Sequence, residues 1–195
     1  SGQVCYVVDE EYQPLLRKMI RGARQSIFIG MYVFSEQKSE APFAEELIRD
    51  LEAAAKRGVY VYLLLYTAPS TLDRLAEHHS NRAERLRRSG IDVRLALPNN
   101  ILHMKTVIVD LSVVLTGSHN WSEGALSGKR VYESSALIVL DAQEPALADF
   151  ILSRKTISDM RSRDLWRQEI NALRHLAQAS GSARTDLLEQ LEGEE

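Results

Sequence analysis

Residues able to do chemistry concentrate in one stretch of this chain, His103-Met104-Lys105 and, a short way on, Gly117-Ser118-His119-Asn120. On an extended strand His103 and Lys105, two positions apart, project from one face while Met104 and Thr106 project from the other. An imidazole then stands beside an ammonium. Ser118 and Asn120 repeat that relation at the end of the following strand, where Gly117 allows the backbone to come close to whatever is bound. Imidazole, ammonium, hydroxyl and carboxamide converging on one point suit a tetrahedral anion.

Strands and helices in alternation must carry these groups. Val4 to Val8 is a short β-branched run, and Glu10 to Arg24 has Leu15, Leu16, Met19 and Ile20 at helical spacing. Ser26 to Phe34 is a nearly continuous apolar strand, Ala41 to Lys56 an Ala/Glu/Leu-rich helix, and Val59 to Tyr66 a second buried strand after the Arg57-Gly58 stop. Strands apolar on both faces imply a sheet covered by helices on both sides. Thr71 to Arg88 reads as a third helix, Ile91 to Leu97 as a strand and Pro98-Asn99-Asn100 as a turn. Ile101 to Val109 and Val113 to Thr116 are strands parted only by Asp110-Leu111-Ser112, and Tyr132 to Leu140 is another, which adds an antiparallel part. The expected fold is an α/β/α sandwich around a mixed sheet over residues 1–155. Residues 156–195 form a helical C-terminal extension with an acidic tail, its packing stripe set by Trp166, Ile170, Leu173 and Ala177.

Composition narrows the classes. The chain has 195 residues, enough for one sizeable core, with 45% hydrophobic and 26% charged residues, as in globular proteins. Its net charge of −3 is opposite to that of a protein that coats nucleic acid, so any contact with phosphates must be a local patch. The single cysteine, Cys5, can form neither an internal disulfide nor the thiolate set of a structural zinc site. No apolar run approaches the roughly 20 residues needed to span a bilayer. The opening Ser1-Gly2 reads as a tag remnant, and the end of the chain as the stump of a longer protein.

The spacing resembles that of the phospholipase D superfamily, H-x-K-x4-D followed after six residues by G-S-x-N. His103, Lys105, Asp110, Gly117, Ser118 and Asn120 occupy all six positions. The resemblance runs from about Val4 to Lys155 and includes Met31-Tyr32-Val33-Phe34 and Ala54-x-x-Arg57-Gly58-Val59-x-Val61. Many members carry two such motifs, whereas this chain has one. It is therefore similar to the Nuc-type bacterial endonucleases, the catalytic domain of the BfiI restriction enzyme and the Zucchini-type mitochondrial proteins. Lacking the thiolates of the Zucchini-type zinc finger, it falls closer to the bacterial branch, which implies a bacterial cytoplasm or periplasm. Where many relatives place an acid at the end of the strand Val59 to Leu65, this chain has Tyr66.

The resemblance implies a phosphodiesterase that needs no metal and no cofactor, most simply a nuclease acting on DNA or RNA. Two copies associate about a twofold axis and build one site from both motifs. A neutral imidazole attacks phosphorus to give a phosphohistidine, a protonated one donates to the leaving oxygen, and water completes hydrolysis with the roles reversed. Lys105 and Asn120 of both copies hold the non-bridging oxygens. Glu133 stands where relatives place an acid that hydrogen-bonds the catalytic imidazole. Asp110 reads as a turn or ion-pair residue, and His119 as a packing residue. A zinc site of His103, His119 and Glu133 is disfavoured, because Lys105 would repel the cation. Substrate contacts are expected from Lys129 and Arg130 in the loop before Glu133. Trp121 offers a base-stacking surface, but it fits better as a helix-start anchor packing into the core. His78, His79, Arg82, Arg85, Arg87 and Arg88 read either as a solvated helix face or as a phosphate-contacting rim. Two other functions stay open, a phospholipid phosphodiesterase at a membrane, which would want an exposed apolar rim, and a silent dimerisation module.

Overall fold

The computed structural model describes residues 2–35, 43–68, 72–96 and 101–152. Seven strands form one sheet: β1 (Gly2–Val8), β2 (Ser26–Met31), β3 (Tyr60–Leu65), β4 (Asp92–Leu95), β5 (Lys105–Val109), β6 (Val113–Gly117) and β7 (Ser134–Leu140). Their order across the sheet is β1-β7-β6-β5-β2-β3-β4. The expected change of order is present, since β2, β3 and β4 run parallel while β5, β6, β7 and β1 pair antiparallel. Helices α1 (Tyr12–Gly22), α2 (Phe43–Lys56), α3 (Arg74–Arg88), α4 (Glu123–Ser127) and α5 (Asp149–Leu152) complete the fold, with 3-10 turns at Asp9–Glu11 and Pro145–Ala148.

All six residues of β2 are buried, because both of its faces are covered. Ile27, Ile29 and Met31 meet Leu16 and Ile20 of α1, Leu47 and Leu51 of α2 and Leu86 of α3 in one core. Phe28 joins Tyr62, Leu64, Ile108 and Val114 in a second core on the other face, where α5 contributes Ile151. Gly30 belongs to that second face, and a side chain there would collide with Met104, so its absence seats the segment leading into β5. No helix among the described residues is long and apolar enough to cross a membrane.

Element boundaries shift from the sequence reading: β1 starts earlier, at Gly2, and β6 ends later, at Gly117, whereas α3, β3, β5 and β7 are shorter than expected. Helix α3 begins at Arg74, because the Asp73 carboxylate caps it by accepting from Ala76 N at 2.9 Å. Strand β5 begins at Lys105, whose register partner Met31 is the last residue of β2, and ahead of it a single backbone bond, Tyr32 N–H to the Met104 carbonyl at 2.9 Å, continues the contact. The turn at Pro98-Asn99-Asn100 and the stripe of Trp166, Ile170, Leu173 and Ala177 lie outside the described residues.

Arg88 on α3 is exposed, whereas His79, Arg82, Arg85 and Arg87 are held by contacts within the chain. Arg82 is buried with its guanidinium 4.2 Å from the Phe34 ring centroid, Arg85 pairs with Glu45 and Glu52, and Arg87 donates to the Val93 carbonyl at 2.8 Å. His79 is wholly buried. Its Nε2 accepts from Phe34 N at 3.1 Å and its Nδ1 donates to the Tyr66 carbonyl at 2.7 Å, which ties the chain beyond β2 and beyond β3 to this helix. Both bonds need the neutral ring.

Burial, aided by the charges of His78 and Arg82, lowers the His79 pKa from 6.5 to about 4. Between those values the unfolded chain binds the extra proton and the folded chain does not, so stability falls as pH falls through that window. The loss from this group reaches about 3 kcal/mol by pH 4 and grows no further below it. Thermal melts of wild type and His79→Gln across pH 4 to 7 should show the steeper acid loss in wild type; parallel curves would remove His79 as the cause.

Candidate active site

His103 lies in the extended segment before β5, not on the strand itself, and is exposed. Lys105 opens β5 and is 7% exposed. Its ammonium donates to the His103 carbonyl at 2.8 Å and lies 3.2 Å from each ring nitrogen of His103. The pair expected from i, i+2 spacing is therefore in contact, although a backbone carbonyl at the mouth of the sheet helps to hold it. Burial lowers the Lys105 pKa, opposed by the Glu133 carboxylate. A partly desolvated cation of this kind binds an anion more strongly than a solvated one does.

Asn120 stands in the loop beyond β6. Its Oδ1 accepts from Val33 N at 3.3 Å, which leaves the amide NH2 to donate. Ser118 is not free to act on its own: its hydroxyl donates to the Glu133 carboxylate and accepts from Ser134 N at 3.0 Å. Within one chain, then, Glu133 takes its side-chain hydrogen bond from Ser118 and makes none with His103. The backbone of Glu133 is clasped by Asp9, whose amide donates to the Glu133 carbonyl at 3.0 Å and whose Oδ1 accepts from Glu133 N at 2.8 Å.

His119 faces away, fully buried. Its Nδ1 is 2.8 Å from Ser135 Oγ, its Nε2 is 3.0 Å from the Asp9 carbonyl, and its ring stacks on Tyr12 at 4.2 Å. With both nitrogens engaged it cannot join His103 and Glu133 around a metal. Trp121 is likewise buried, donating to Tyr12 Oη at 3.0 Å and packing edge-on against Phe34, so it presents no surface to a base. Lys129 and Arg130 are exposed, and among the described residues neither cationic head has a partner. Arg130 holds a left-handed backbone at φ 68° in that loop.

The two structural positions of the motif have specific work. Asp110, itself left-handed at φ 50°, accepts backbone N–H bonds from Arg24, Gln25 and Ser26 at 2.7 to 3.2 Å, which fixes the start of β2. Gly117 was expected to admit a ligand; instead a side chain there would strike the backbone of Ser134 and Ser135, so the glycine serves the approach of β7 to β6. Two contributors escaped the sequence reading. Tyr32 packs its ring against His103 at 4.9 Å, with the Lys105 ammonium 5.4 Å from its centroid. Asp9 braces the loops that carry His119 and Glu133, and its one local signal is a φ of 46°, a conformation that Asp tolerates better than most residues.

A mixed seven-stranded sheet flanked by helices, with His103 and Lys105 at the start of β5 and Asn120 beyond β6, defines the α/β fold and its candidate site. Residues 16–149 match the family described as cardiolipin synthase, PLD-like domain. The chain belongs to this phospholipase D-like family. Nuc from Salmonella typhimurium, a phospholipase D family member, superposes with a TM-score of 0.59 at 26% identity, over 86% of this chain and 96% of that one. Mouse mitochondrial cardiolipin hydrolase is 30% identical over 145 residues, 73% of this chain and 58% of that protein. Cardiolipin synthase A of Escherichia coli O157:H7 is 31% identical over 123 residues, 57% of this chain but 24% of the synthase, so the chain spans about a quarter of that relative.

Proposed function

We propose that this phosphodiesterase is a metal-independent nuclease cleaving DNA or RNA through a phosphohistidine on His103, at a site completed by a second copy of the chain. The observation that carries the reading is that His103 is the one exposed imidazole among the described residues, in contact with Lys105, while His119 has both nitrogens bonded. In-line displacement needs a nucleophile on one side of phosphorus and a proton donor on the other. The described residues of one chain offer one such imidazole, and a twofold partner supplies the other.

In the first half-reaction an imidazole nitrogen of His103 bonds to phosphorus as the P–O bond to the leaving group breaks, and the second copy's His103, protonated, gives its proton to that oxygen. In the second, the same imidazole of the partner takes a proton from water, which displaces His103 and restores both rings. Lys105 and the Asn120 amide of each copy hold the non-bridging oxygens as charge builds. Glu133 and Ser118 sit together at the edge of this cup, their shared hydrogen bond fixing the start of β7. Nucleic acid as substrate is supported by the match along nearly the whole of Nuc and by the unpaired cations of Lys129 and Arg130.

A lipid phosphodiester is the second reading, favoured by the cardiolipin enzymes among the relatives and by exposed apolar groups on the segments that carry the site. Ile101, two residues before His103, is 70% exposed, and Tyr132, beside Glu133, is 98% exposed. Tyr60 and Tyr62, by contrast, lie on β3 and Tyr62 is fully buried. Incubating purified protein in excess EDTA with single-stranded DNA, duplex DNA, RNA and cardiolipin vesicles decides between them. Nucleic-acid cleavage that persists in EDTA is expected; hydrolysis of cardiolipin alone transfers the site to the second reading, and activity lost to EDTA and restored by zinc or magnesium overturns the metal-free mechanism.

A further inference from the structure

We propose that Tyr32 and Tyr66 are positioning residues for His103, two rungs of an aromatic ladder that runs from the N-terminus of α3 to the reacting imidazole. This rests on the reading of His103 as the nucleophile. His103 is exposed and lies outside the ladder of β5, and among the described residues its one side-chain hydrogen-bond partner is the ammonium of Lys105. A flexible four-carbon stem ending in a point charge cannot fix the plane of a ring. Tyr32 can, with its ring 4.9 Å from that of His103 and tilted by 54°. The same ring lies 5.4 Å from the Lys105 ammonium, within reach of a cation–π attraction, so one aromatic face locates both members of the pair. The backbone of Tyr32 is tied to the segment it serves, its N–H donating to the Met104 carbonyl at 2.9 Å.

Tyr66 fixes Tyr32 in turn, edge to face at 5.1 Å. It is itself held at three points. Its N–H donates to the Met31 carbonyl at 3.3 Å, its carbonyl accepts from His79 Nδ1 at 2.7 Å, and its hydroxyl donates to Asp73 Oδ2 at 3.1 Å. The other oxygen of Asp73 caps α3, so the ladder ends on a helix rather than on a loop. Burial and the Asp73 carboxylate raise the Tyr66 pKa, which keeps the phenol a donor to that carboxylate. Rings anchored in this way hold an imidazole near its line of attack without contributing a reacting atom.

Four variants test this: Tyr32→Phe, Tyr32→Leu, Tyr66→Phe and Tyr66→Leu, each checked for folding by thermal melting. With bis(p-nitrophenyl) phosphate as probe, Tyr32→Leu should lose about 10- to 100-fold in kcat with KM within about twofold, since misplacement by an ångström costs that much. Tyr32→Phe, which keeps the ring, should restore nearly all of it. Tyr66→Leu should fall between, and Tyr66→Phe, which loses only the tether to Asp73, should lose less. The second readout does not depend on turnover. In spectra of histidine-labelled protein, the signal that disappears in His103→Asn should move when Tyr32 or Tyr66 becomes Leu and stay when Tyr32 becomes Phe.

An unmoved signal with unchanged kcat in both leucine variants overturns the proposal, as does a Tyr32→Phe as damaged as Tyr32→Leu. If a leucine variant does not fold, the phenylalanine variant at the same position decides: wild-type behaviour at Tyr32 and a shifted His103 signal at Tyr66 support the ladder, and the reverse pattern overturns it. A wild-type chain inert towards the diester would instead refute the phosphodiesterase reading, and the spectra would still show whether the two tyrosines hold the imidazole.

Discussion

His103→Asn should lower turnover on a phosphodiester by about 10⁴-fold or more, because at the proposed shared site nucleophile and proton donor disappear together. The structure makes this substitution a clean probe of chemistry. Lys105 reaches the backbone carbonyl of residue 103 at 2.8 Å, a contact that any side chain at that position leaves in place. The ammonium should therefore stay where it is, and KM and melting temperature should change little. Wild-type enzyme quenched in acid should carry phosphorus on histidine, and the variant should carry none. Activity comparable to wild type would sink the assignment. His119 would not easily inherit the role, since it would have to surrender its contacts with Ser135, Asp9 and the Tyr12 ring.

Mixing tests the twofold site more sharply than any single variant. If each site takes one His103 from each of two copies, a dimer of wild type and His103→Asn has no intact site. Activity after unfolding, mixing and refolding together should follow the square of the wild-type fraction, about a quarter of full activity at equal mixing, against about a half for chains that work alone. A straight line, or a monomer by light scattering that still cleaves the diester, would leave the likeness to the family one of fold without its shared mechanism. The two experiments are independent, because the first asks which atom attacks and the second asks whose proton completes the step.

What could be read in advance was whatever depends on spacing along one strand. The two-residue interval put His103 beside Lys105, and apolar runs such as Ser26 to Met31 marked strands covered on both faces. What could not be read depends on neighbours distant in the chain. His103 falls off its strand because β2 stops pairing at Met31. Gly117 looked like an opening for a ligand, yet the space it leaves is filled by β7. Trp121 looked able to stack on a base, and its burial is decided by Tyr12, 109 residues away. The arginines of α3 looked like a charged face, and only the folded chain brings Glu45, Glu52, Phe34 and the Val93 carbonyl against them. Asp110 is the opposite case: it belongs to the chemical motif by spacing, while its carboxylate is spent on the amides of residues 24 to 26.

The clasp between Asp9 and Glu133 bears on when the site comes into being. Strand β1 pairs with β7 from Gly2 against Leu140 to Val8 against Ser134, and Asp9 closes the end of that pairing with two backbone-linked bonds to Glu133 and a carbonyl turned to His119. Contacts between residues 124 apart in the chain, such as Asp9 and Glu133, carry a large entropy of loop closure, and they raise contact order and slow folding. During synthesis β1 emerges before β2 to β7, and its sheet partner β7 is the last of the described strands to follow, so β1 stays unpaired until β7 arrives. Strands β2 to β6 and the His103–Lys105 pair can assemble meanwhile. Completion of the proposed site is thereby tied to a long-range closure, and a chain stalled before β7 would hold the residues of the motif without the brace that aligns the loops around them.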